Sequence, residues 1–169
     1  MSRFFPHTPY AEDQPLYRTV LTTHVLYRGF QTGAIGGILS GMVGSLVKSI
    51  RAGSSSTVFA GWSALQRSTG IGSMVGLGAM VVALPLQMWG KTEIEWKDRS
   101  WRLLENKGQM AVDDWSLSGA VLIPLYMSMR KQNAERLGWK MAMGRAGIGS
   151  TAGIVGYLGW TYLLNSGPL

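Results

Sequence analysis

The chain groups its charges and leaves four uncharged stretches between them, and that segregation restricts it to few folds. Gly29 to Val47 lies between Arg28 and Lys48. Ser68 to Gly90 lies between Arg67 and Lys91, Trp115 to Met129 between Asp114 and Arg130, and Ala146 to Leu169 follows Arg145. A helix rises ~1.5 Å per residue, so about 20 residues cross a hydrocarbon layer ~30 Å thick. The first, second and fourth stretches reach or approach that length. The third has 15 uncharged residues and contains Pro124; it crosses if Arg130 and Lys131 extend to the interface. The pattern therefore predicts an all-α membrane protein: about four short, Gly-rich transmembrane helices in a compact bundle, spanning about 29–47, 68–90, 115–129 and 146–164. Three spans with a re-entrant segment, or a soluble helical protein, are the alternatives.

Composition supports the membrane reading. Charged residues make up 15% of the chain, against about 25% in soluble domains. Cysteine is absent, which removes disulfides, thiolate catalysis and cysteine metal sites. The net charge is +7. The bases sit in connections beside apolar spans rather than among aromatics on one face, a pattern suited to anionic lipid and not to nucleic acid. Lys48, Arg51, Arg130 and Lys131 are the candidate contacts to lipid headgroups. Met1 to Arg28 has no sustained apolar core, and Glu12 and Asp13 suit a transit peptide poorly, so any organellar address is expected to be internal.

Small residues recur every fourth position in the spans. Gly29, Gly33, Gly37 and Gly41 form one file on the first, with Gly36, Ser40 and Gly44 beside it; Gly72 and Gly76 mark the second span, Gly149 and Gly153 the fourth. Such stripes let backbones approach closely, which lipid-embedded helices need because the hydrophobic effect does not drive them together. Glycine costs about 1 kcal/mol in a helix relative to alanine, so these positions call for a packing reason. The candidate helix-packing residues are Gly33, Gly37, Gly41, Gly72, Gly76, Gly149 and Gly153. Their partner, within this chain or on another protein, is left open.

The connections carry the polar structure. The tail, residues 1–28, is expected to hold a short amphipathic helix begun by Pro15, with Tyr17, Leu21 and His24 on one face. Lys91 to Asp114 reads as a surface helix between spans two and three, with Glu93–Lys97, Glu95–Arg99 and Asp98–Arg102 as i,i+4 pairs and Ile94, Trp101 and Leu104 on its apolar side. Asp113 and Asp114 are expected to cap the third span. Lys plus Arg tie between the two sides of a four-span topology, while the acids divide one against eight; the denser charge of the first and third loops favours placing them inside.

Reactive constellations are not visible. The spans contain no Asp, Glu, Lys, Arg or His, which argues against proton relays, ion coupling or haem ligation. His7 and His24 are too isolated for a metal site, His7 being expected exposed and His24 interfacial. The tryptophans lie mostly near span ends, as interfacial aromatics do. No catalytic, cofactor-binding or metal residue is assigned.

Four short Gly-rich spans with a charged central connection resemble the mitochondrial inner-membrane translocase channel family, which also includes a four-helix accessory subunit of respiratory complex I. Arg102 or Lys107, then Asp113, Asp114, Ser118, Gly119 and Ala120, resemble that family's base–acid–small-residue pattern, although Ile123 and Pro124 stand where another glycine belongs. The resemblance covers residues 29 to 164 as architecture and implies termini in the intermembrane space. It leads to the expectation of a non-catalytic accessory subunit of a multi-pass mitochondrial inner-membrane respiratory assembly, complex I first among them. Its partners would be other membrane subunits and lipid, with structural phospholipid and no cofactor. A subunit of an inner-membrane protein translocase or transporter is the alternative.

Overall fold

The computed structural model describes residues 5–53, 61–129 and 138–164. The described residues are helical, with no strand among them. A 3₁₀ turn (Ala11–Asp13) precedes α1 (Tyr17–Ala52), α2 (Trp62–Met88), α3 (Glu93–Glu105), α4 (Lys107–Met129) and α5 (Trp139–Gly159), and a π turn (Trp160–Leu164) follows.

Helix α1 has 36 residues, about 54 Å at the rise of an α-helix. The tail helix and the first uncharged stretch are therefore one rod, because no Pro or Gly-cap signal interrupts Tyr17 to Ala52. Pro15 stands two residues before it, Leu16 is left-handed at φ 53°, and Gly53 closes the helix at φ 61°, a conformation glycine adopts without strain. Helices α1 and α2 form an antiparallel pair, α4 and α5 form a second, and α2 joins them across α5. Of the four stretches expected to span, two belong to helices long and apolar enough to cross a membrane, α1 and α2. Helix α4 opens on Lys107 and carries Asp113 and Asp114; α5 carries Lys140 and Arg145.

The expected surface helix divides into two. Asn106 leaves helical geometry at ψ 90°, and its side-chain Oδ1 accepts from the Gln109 backbone N–H at 3.0 Å, so Asn106 caps α4. Asp113 and Asp114 lie inside that helix. The capping role expected of them is corrected: the helix starts eight residues earlier than the uncharged stretch it contains. On α3, Lys97 meets Glu93 at 2.9 Å and Arg102 meets Asp98 at 3.0 Å, whereas Glu95 pairs with Lys91 at 2.9 Å rather than with Arg99.

Burial is inverted relative to a water-soluble domain. Gln14, Gln31, Gln66, Thr69, Ser73, Ser100, Asp113, Ser116, Arg145 and Ser150 are buried, against seven hydrophobic residues. Leu39, Met42, Val43, Leu46, Val81, Val82, Leu86, Val121, Leu122 and Leu125 are exposed. A compact apolar cluster, Leu21, Leu84 and Met88 with Val25 and Trp96 packed on it, lies only at the end nearest α3.

The seven glycines singled out from the sequence lie at helix crossings. A Cβ on Gly37 would stand 2.5 Å from the Ser68 carbonyl oxygen and 2.6 Å from Thr69 Cα; on Gly76 it would stand 2.9 Å from Gly33 Cα; on Gly41, 3.0 Å from Leu65 Cδ1. Gly33 and Gly72 back onto each other's carbonyl groups. In the second pair, Gly149 faces Gly119, and a Cβ on Gly153 would stand 2.7 Å from the Trp115 carbonyl carbon. Both antiparallel pairs thus cross backbone to backbone, a distance that any side chain would enlarge.

Candidate functional site

Two polar stripes face each other at the end of the bundle nearest the tail. Helix geometry puts His24, Tyr27, Arg28 and Gln31 on one side of α1, at i, i+3, i+4 and i+7. The same spacing puts Gln109, Asp113 and Ser116 on one side of α4. His24 Nδ1 lies 2.9 Å from Asp113 Oδ2, and Arg28 Nη2 lies 3.0 Å from Asp113 Oδ1. Arg28 Nη1 donates to Gln31 Oε1 at 3.0 Å, and Gln31 Nε2 donates to Ser116 Oγ at 2.8 Å. Tyr27 OH is 2.9 Å from Ser116 Oγ, which is 2.6 Å from Ser150 Oγ on α5. One connected network therefore ties α1, α4 and α5.

The histidine tautomer follows from the orientation of the Gln109 amide. With the Gln109 amide oriented as it stands, its Nε2, a donor only, lies 2.9 Å from His24 Nε2. That ring nitrogen accepts, so the proton sits on Nδ1 and points at Asp113. Asp113 is 1% exposed, and its charge is answered by the Arg28 guanidinium. Asp113 Oδ1 and Arg28 Nε have no hydrogen-bond partner among the described residues: Arg28 and Asp113 attract as charges without the alignment of a hydrogen bond. A cavity of about 10 Å³, bounded by Phe5, Val20, Thr23, His24, Tyr27, Leu103 and Asp113, leaves room there for one water molecule.

The residue types of a catalytic triad are present, joined in another order. A serine nucleophile needs the histidine nitrogen opposite the carboxylate, but that nitrogen is engaged by Gln109, and Ser116 is held by Tyr27, Gln31 and Ser150. The arrangement orients side chains and links helices. Among the described residues there is no group of three or more His, Asp or Glu placed to hold a metal ion.

A second buried polar contact lies deeper in the bundle. Arg145 of α5 is 5% exposed, and its Nε donates to Gln66 Oε1 of α2 at 3.3 Å. At the tail, Gln14 Nε2 donates to the Pro6 and Pro15 carbonyls at 2.8 and 3.1 Å, and Trp101 Nε1 donates to the Thr8 carbonyl at 2.8 Å. His7 stacks on Trp101 with centroids 5.8 Å apart and lies 3.4 Å from Glu105.

Sequence reading placed His24 at an interface and Asp113 at a cap; the structure brings both into this network. The base that meets Asp113 is Arg28 of α1. The signal was present as a polar stripe at helical spacing, but Arg28 and His24 fall just before the first uncharged stretch and Asp113 just before the third. Of the candidate lipid contacts, Lys48 and Arg51 are exposed on the last turns of α1; Arg130 and Lys131 lie outside the described residues.

No family model, curated protein or solved structure matches this chain. The fold defines an all-helical protein with two helices able, by length and composition, to cross a membrane.

Proposed function

We propose that this chain is a non-catalytic, multi-pass membrane subunit whose four long helices stand in a bilayer and hold neighbouring subunits and lipid in place. The observation that carries the reading is the inverted burial: polar side chains and glycine backbones fill the helix contacts, while Leu, Val, Met and Ile cover the outside of α1 and α2. Water penalises such a surface and hydrocarbon favours it. Helices α4 and α5 would cross as well, with Asp113 paired to Arg28 and Arg145 hydrogen-bonded to Gln66 inside the bundle, since intramembrane charges face the bundle interior.

The polar network supports a structural role, since each of its groups is spent on joining helices. The resemblance to the translocase-like family directs the proposal to the mitochondrial inner membrane and to a respiratory assembly, complex I first. Purification of the tagged chain in mild detergent tests it. Recovery at fixed stoichiometry with respiratory-complex subunits is the result expected. Recovery with precursor-import components instead would assign the chain to a translocase.

A further inference from the structure

The α1–α2 hairpin has an apolar groove at the end remote from α3. Leu39, Met42, Val43 and Leu46 of α1 and Trp62 and Leu65 of α2 bound a volume of about 570 Å³. Its floor is where Ser45 Oγ approaches Gly61: a Cβ there would stand 2.8 Å from that oxygen. Its α1 wall lies within the uncharged stretch that Lys48 ends, and its α2 wall precedes Arg67.

Charge is distributed one-sidedly about this groove. Every described acidic residue belongs to the tail, to α3 or to the first two turns of α4, at the opposite end of the bundle. Beyond the groove on α1, Lys48 and Arg51 are exposed and have no ion-pair partner among the described residues. Arg51 stands five residues beyond Leu46, about 7.5 Å along the helix. An apolar slot inside the hydrocarbon layer and unanswered bases at its mouth match a molecule with an apolar chain and an anionic head.

We propose that this groove is a binding site for an anionic phospholipid, with an acyl chain between α1 and α2 and the phosphate at Lys48 and Arg51. The site rests on the membrane reading above. A zwitterionic lipid offers the same chain but cancels the phosphate charge; a free phosphate has nothing to place in the groove. Each base near an anionic surface supports roughly a five-fold preference.

The test reconstitutes the full chain into phosphatidylcholine vesicles doped with either phosphatidylglycerol or phosphatidylcholine carrying a photoactivatable acyl chain, followed by peptide mapping. The site predicts crosslinks within residues 39–46 and 62–65, at least ten-fold stronger with phosphatidylglycerol. The K48Q/R51Q variant should still incorporate and should lose that preference. Val43→Trp, which fills the slot, should remove crosslinks with both lipids. Equal labelling by the two lipids, or crosslinks elsewhere, would overturn the lipid site while leaving the membrane reading standing. Failure of the chain to float with any vesicle would overturn both.

Discussion

His24 of α1 and Asp113 of α4 meet at 2.9 Å through Nδ1 and Oδ2, with the Arg28 guanidinium 3.0 Å from the other carboxylate oxygen. Of the contacts between α1 and α4, this one places an aspartate charge in the interior of a bundle whose remaining contacts are largely glycine, serine and threonine. It fixes how the two antiparallel pairs face each other.

Asp113→Asn tests that relationship. The amide keeps an acceptor for His24 and leaves the Arg28 charge, on a side chain 31% exposed, without its counter-charge. Loss of one partner of a buried pair costs 3–5 kcal/mol; the partial exposure of Arg28 puts the expected loss near the bottom, about 3 kcal/mol, read as reversible unfolding in detergent. The R28M/D113N double variant should be more stable than D113N alone, because the stranded cation is gone. A double variant that simply adds both losses would show that the charges do not compensate each other.

The glycine crossings separate positions that look alike in sequence. Gly33 and Gly36 are three residues apart on α1, yet a Cβ on Gly33 would meet the Gly72 carbonyl group, and one on Gly36 meets nothing within 4 Å. Gly33→Ala should destabilise by about 1–3 kcal/mol through overpacking. Gly36→Ala should be neutral, or stabilising by up to about 1 kcal/mol from helix propensity. Thermal or denaturant melts in one detergent compare them directly, and equal effects would mean that α1 and α2 do not cross here.

The start of α3 carries a pH dependence of known sign. Lys91 and the Thr92 backbone N–H, which donates at 2.8 Å, hold the Glu95 carboxyl at about 2, well below 4.5. The folded state thus favours the ionised form, and the cap contributes above about pH 4.5 and is lost as pH falls through 2. Amide exchange in the first turn of α3 should quicken between pH 4.5 and 2 beyond the intrinsic change. Glu95→Ala should abolish that extra acceleration and show fast exchange already at pH 6.

These contacts also show what was legible beforehand. The helical class followed from the uncharged stretches, and the stripes at Gly29–Gly41 and Gly72–Gly76 were visible as stripes. Their pairing was not, because spacing along one helix says nothing about which helix lies opposite. The length of α1 was hidden by Arg28, read as a boundary although helical propensity continues through it. The polar network was hidden for a related reason: His24, Arg28 and Asp113 stood at the edges of apolar stretches, where a charge reads as interfacial. Only tertiary placement shows that they face inward. Gln66 and Arg145 could not be paired from sequence at all, lying on helices separated by two others.

The central claim is that the apolar outer faces of α1 and α2 lie in hydrocarbon. Since the chain has no cysteine, single cysteines at Leu46, Val82 and Arg102 report on it without background. Labelling with a charged, membrane-impermeant maleimide, with both membrane faces opened to reagent, is the direct measurement. L46C and V82C, at positions 57% and 61% exposed on the isolated chain, should remain unlabelled until the membrane is dissolved and the protein denatured, while R102C on α3 labels at once. Labelling of L46C and V82C as fast as R102C in intact bilayers would contradict the membrane placement.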